Sequence, residues 1–128
     1  MKKFLSVVVL TVLTTFLLSS CSKEDEFNAV AKITVKENGS LKSGVSVHMF
    51  DHRKGPGTSF FIPFFADKVV VTEADGIATF NLQEVFDLEV IDTQTTFYFA
   101  VFDLDDNVLG NTGLTIEKGQ TKAAIINY

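Results

Sequence analysis

The sequence holds a single cysteine, Cys21, so no internal disulfide can form. It has no tryptophan either, and a domain this small without a disulfide must draw its stability from buried core area. Arg53 is the only arginine, and Lys and Arg together number 11 against 16 Asp and Glu, a formal charge of -5. That balance excludes the basic surface on which nucleic-acid binding depends. No Gly-x-Ser-x-Gly nucleophile motif and no glycine-rich phosphate loop occurs, so neither enzyme activity nor a cofactor is expected. The one long apolar run, Phe4 to Leu18, falls short of the roughly 20 residues that a membrane-spanning helix needs.

What is present divides the chain at Cys21. Met1-Lys2-Lys3 is a basic start, the apolar run follows, and Leu18-Ser19-Ser20-Cys21 ends it, the pattern of a cleaved secretory signal over residues 1–20. Leu18 to Cys21 resembles the lipobox of bacterial lipoproteins: aliphatic, small, small, cysteine. The resemblance implies that the Cys21 thiol carries diacylglycerol and that Cys21 is the first mature residue. It also explains an unpaired thiol in an exported chain. Two or three acyl chains, at roughly 0.8 kcal/mol per buried methylene, anchor a protein stably without a spanning helix. Lys23, Glu24 and Asp25 resemble the Bacteroidota-type signal that directs lipoproteins to the outer face of the outer membrane, which implies a cell-surface location. Residues 21–28 then read as a lipidated N-terminus and acidic tether.

Residues 29–128 form the expected domain. Removal of residues 1–20 takes away Lys2 and Lys3 and no acid, which moves the formal charge from -5 to -7. Ala31, Ile33 and Val35 alternate with Lys32, Thr34 and Lys36, a period of two that places one face on a core and one in water. The same alternation predicts strands at 45–50, 69–72, 77–82, 95–102, 108–116 and 121–127, separated by polar turns. Gln83 to Asp92 fits either one helical turn or an irregular crossover and is read as a connection. Seven short strands predict an all-β, antiparallel sandwich.

Gly44-Val45-x-Val47, then Thr72-x-x-Asp75-Gly76-x-Ala78-x-Phe80, then an aromatic strand ending at Asp103, then Gly119 before a last apolar strand resemble the transthyretin-like or carboxypeptidase-regulatory-like domains. The resemblance implies a seven-stranded Ig-like or transthyretin-like fold and a noncatalytic module. The enzyme of that fold, the hydrolase of 5-hydroxyisourate, carries a C-terminal motif that this chain lacks, since it ends Ile125-Ile126-Asn127-Tyr128.

Other constellations are better read as structure. His48 and His52, with Asp51 beside the second, would share a face for zinc on a helix but not on a strand entering a loop. Asp103, Asp105 and Asn107 imitate the first half of a calcium loop, yet Val108 and Leu114 stand where glycine and glutamate belong, so a hairpin turn is expected and no metal site. Asp87, Glu89 and Asp92 read as a solvated edge.

The most unusual stretch is Phe60, Phe61, Ile62, Pro63, Phe64 and Phe65, inside a connection longer than compact domains usually tolerate. Burial of most of its rings over an open end of the sandwich is expected, because the domain needs core area. The alternative is an exposed contact surface for a partner protein, a glycan or the lipid interface. The function expected is that of a lipid-anchored, surface-exposed binding or accessory module of the cell envelope, in contact with an envelope or host protein or a glycan. A pilus-like or matrix subunit assembling through edge strands is the alternative. A small-molecule hydrolase comes third.

Overall fold

The structure, a computed structural model, describes residues 28–88 and 94–128. Cys21, Lys23, Glu24, Asp25, Glu89 and Asp92 lie outside the described residues. In chain order the strands are β1 (Val30–Glu37), β2 (Ser40–Leu41), β3 (Ser46–Phe50), β4 (Lys68–Val71) and β5 (Ile77–Asn81). A short helix α1 (Gln83–Leu88) precedes β6 (Gln94–Phe102), β7 (Val108–Glu117) and β8 (Thr121–Asn127).

Two four-stranded sheets result, so the architecture is all-β and sandwich-like. In the first sheet β1 is central. β8 runs parallel to it along one edge, and β5 and β2 follow each other antiparallel along the other. The second sheet has the order β4-β3-β6-β7 and is antiparallel throughout. Eight strands thus replace the seven expected, and the pairing is not purely antiparallel. The added strand is β2, which exists because Asn38 and Gly39 both take positive φ (51° and 83°) and close a two-residue hairpin between Glu37 and Ser40.

The core follows the alternation. Ala31, Ile33, Val35, Ala78, Phe80 and Ile126 of the first sheet meet Val47, Met49, Phe97, Phe99, Val101 and Ile116 of the second. Phe80 and Phe99 touch across the interface edge to face, 5.0 Å between centroids. Each such ring contributes about 1.5–3 kcal/mol by leaving water. The connection after β5 forms one turn of helix because the Asn81 side-chain carbonyl accepts from the Gln83 backbone N–H at 3.0 Å. It lays Phe86 on Phe97 and so closes one end of the core.

The molecule has two distinct ends. At one, the Leu82 N–H donates to the Ala29 carbonyl (2.8 Å), the Val30 N–H to Gln120 (2.9 Å), and Lys68 Nζ to the Asn81 carbonyl (3.0 Å). The chain enters β1 here, beside the start of β4. At the other, the Asn38 N–H donates to the Tyr128 carbonyl, and the Thr72 hydroxyl donates to the Lys42 carbonyl while accepting from the Val45 N–H. The Asp103–Asn107 turn between β6 and β7 lies at this second end, since β6 runs antiparallel to β3.

Candidate functional site

In the second sheet the end of β3 and most of β6 are apolar on both faces. Val47 and Met49 of β3 and Phe97, Phe99 and Val101 of β6 enter the main core, which turns His48 and Phe50, and Tyr98, Ala100 and Phe102, to the outside. Phe50 and Ala100 are nevertheless fully buried. The connection from Asp51 to Asp67 covers them: it lies on the outer face of the second sheet, not over an open end of the sandwich.

Its path follows from its sequence. Asp51 caps a turn of 3-10 helix (His52–Lys54) by accepting the Arg53 N–H at 2.8 Å. Pro56 and Gly57, the latter at φ 92°, suit the central positions of a type II turn, and the Thr58 N–H returns to the Gly55 carbonyl. A second 3-10 turn, Pro63–Phe65, begins on a residue with no N–H to leave unpaired. The Asp67 N–H then donates to the Met49 carbonyl, which starts β4.

Two carboxylates brace the base of this loop. Asp51 is buried and accepts Arg53 Nε (3.0 Å) and Nη2, while Asp67 accepts the Asp51 N–H (2.9 Å) and Lys54 Nζ (2.6 Å). Lys54 Nζ also donates to the Phe65 carbonyl at 3.1 Å. Burial works against ionisation of Asp51, but the hydrogen bonds from Arg53 and the charges of Arg53 and Lys54 outweigh it and hold its carboxyl below the usual range. Tyr98 supports the frame from below, its ring so close under Gly55 that a Cβ there would meet Cε2 at 2.6 Å.

The aromatic residues of the loop divide. Phe61 is buried on Phe50 (4.6 Å) and Phe102 (6.0 Å), and Phe65 is half-buried. Phe60, Ile62 and Phe64 are exposed at 48%, 41% and 85%, with Phe60 and Phe64 each set edge-on to Phe65. The expected burial of most of the rings is therefore not what the structure shows: Phe61 is buried and Phe65 half-buried, whereas Phe60 and Phe64 are exposed. The loop fastens itself with one ring and displays the others. Val69 and Val71, on the exposed side of β4, lie on the same sheet face.

The remaining sequence candidates do not converge. His48 stands on β3, edge-on to Phe102 at 5.1 Å, with its Nδ1 buried and unbonded, whereas His52 is in the loop with Nδ1 3.5 Å from the Thr95 hydroxyl. Asp103 spends its carboxylate on its own turn, accepting from the backbone of Asp105 and Asn107 and from Asn107 Nδ2, and Asp106 takes φ 63°. Asp87 lies on α1. Among the described residues no three His, Cys, Asp or Glu side chains group as a metal site, and no helix is long and apolar enough to cross a membrane.

No family model matches the chain, and no curated protein matches it. The braced loop is the feature that geometry singles out. Asp51, Lys54, Asp67 and Tyr98 were not evident from the sequence as its frame. One signal pointed there: β6 is apolar on both faces, the mark of a strand covered on both sides.

Proposed function

We propose that this chain is a lipid-anchored, noncatalytic accessory module of the cell envelope whose working surface is the loop Phe60 to Phe65. In this reading residues 1–20 are a cleaved signal peptide, Cys21 is acylated, and Lys23, Glu24 and Asp25 send the protein to the outer face of the outer membrane. The domain from residue 29 onward is then a transthyretin-like or carboxypeptidase-regulatory-like sandwich.

The observation that carries the reading is the combination of exposure and bracing. Phe64 is 85% exposed, yet its loop is held by a buried carboxylate, an ion pair and a buried ring. Exposed aromatic rings on a preorganised frame lose little freedom on contact, which is what a binding surface requires. Recovery of the mature N-terminal peptide and its mass tests the anchor, since an unmodified Cys21 would sink it. Protease treatment of intact cells tests the location, with Cys21→Ala and a form altered at Lys23, Glu24 and Asp25 as controls. Degradation in unbroken cells is expected, and protection until the outer membrane is opened would refute surface display.

A further inference from the structure

We propose that Phe60, Ile62 and Phe64 form a second membrane contact, which enters the interface of the same bilayer that holds the N-terminal anchor. The proposal rests on the anchored reading above for its geometry, and three observations carry it.

The first is position. The tether, residues 21–28, meets the domain at Ala29, and Ala29 is bonded to Leu82 at the end of the molecule where the loop closes. Lys68, the first residue after the loop, donates to the Asn81 carbonyl, and Asn81 is the register partner of Val30. Eight tether residues span at most about 29 Å when extended. With Cys21 in the bilayer, a tether of this length keeps Ala29, and with it the two stems of the loop, within about 29 Å of the membrane.

The second is charge. From Asp51 to Lys68 the chain carries Arg53, Lys54 and Lys68 against Asp51 and Asp67, a net of +1, within a mature sequence of -7. Both acids are engaged by the loop's own cations. The loop itself therefore brings no net negative charge to an anionic bilayer surface, although the tether beside it carries Glu24, Asp25 and Glu26 against Lys23. Long basic side chains beside apolar rings also suit the boundary between head groups and acyl chains.

The third is the chemistry of the tip. Residues 60–65 are Phe, Phe, Ile, Pro, Phe and Phe, with no side-chain hydrogen-bond donor or acceptor among them. A glycan or a specific protein site would ordinarily be met by polar groups placed between the rings. Lipid asks for none.

The chain has no tryptophan, so a single Phe64→Trp change provides a unique fluorescent reporter in the full chain. Leu104→Trp, at a fully exposed position of the opposite end, is the matched control. Each is reconstituted into phosphatidylcholine vesicles containing phosphatidylglycerol, with and without bromine-labelled lipid. Expected is a blue shift and loss of emission at position 64, with position 104 unshifted and unquenched. A chain that floats with the vesicles while position 64 stays in water overturns the proposal, as does equal quenching at both positions. A shift at 64 produced by an envelope protein or glycan fraction but not by vesicles also overturns it. The mass of the N-terminal peptide reports acylation separately. If the chain does not float, the same two positions are read at saturating lipid, so failure of the anchor and failure of the loop contact are told apart.

Discussion

Phe61 and Phe64 stand three residues apart in one apolar run, yet the fold uses them in opposite ways. Phe61→Ala should cost about 3 kcal/mol in urea denaturation, because it empties the contact with Phe50 and Phe102. Phe64→Ser should stay within about 0.5 kcal/mol of the parent, since little of that ring is covered. Equal losses would mean that the tip is packed like the rest. His48 offers a second test at this scale. Burial lowers its pKa, with the backbone at Ser46 and Ala100 and the charge of Asp106 acting the other way. A depressed imidazole is neutral in the fold and takes its proton sooner when unfolded. Its contribution is therefore complete above about pH 6.5 and declines as the pH falls through the folded pKa. The urea midpoint should fall from pH 7 to pH 5, and His48→Asn should flatten that slope.

Among the elements, the loop and the seam between β7 and β8 each hold a close contact that one substitution can test. Asp51→Ala removes the acceptor of Arg53 and should destabilise by about 1–3 kcal/mol, with protease cleavage first within residues 52–66. Gly110→Ala places a Cβ 2.8 Å from Ile126 Cγ2 and 2.9 Å from the Asn127 carbonyl oxygen, which cannot yield without moving β8. It should cost about 1–3 kcal/mol and raise amide exchange in β8 before β6. The seven longer strands were legible because their residues alternate between a more covered and a more exposed face along most of their length, most clearly in β1, β5 and β7. β2 was not, for its two residues are exposed and owe their place to the turn chemistry of Asn38-Gly39. The site was legible as an anomaly of composition. Its position was not, because the pairing of Phe50 with Phe61 and of Lys54 with Asp67 joins residues whose spacing carries no period.

At the scale of the molecule, no disulfide joins the sheets. Their union rests on the shared core, and the first sheet is organised by β1, which holds β5 and β2 on one edge and β8 on the other. Removal of residues 121–128 would strip β1 of an entire edge and uncover Ile33 and Val35. Such a chain should show no cooperative thermal transition by circular dichroism, and a sharp one would mean that β8 is dispensable. The pairing of the first strand with the last also orders events in time. A chain made or threaded from its N-terminus presents β1 early, but the seven residues that complete its ladder arrive last. Until then the first sheet lacks one of its edges, and closure must join contacts far apart in sequence, which is slow. The parallel seam thus sets an order of assembly: the first sheet cannot close its second edge until β8 is present, however early β1 is made.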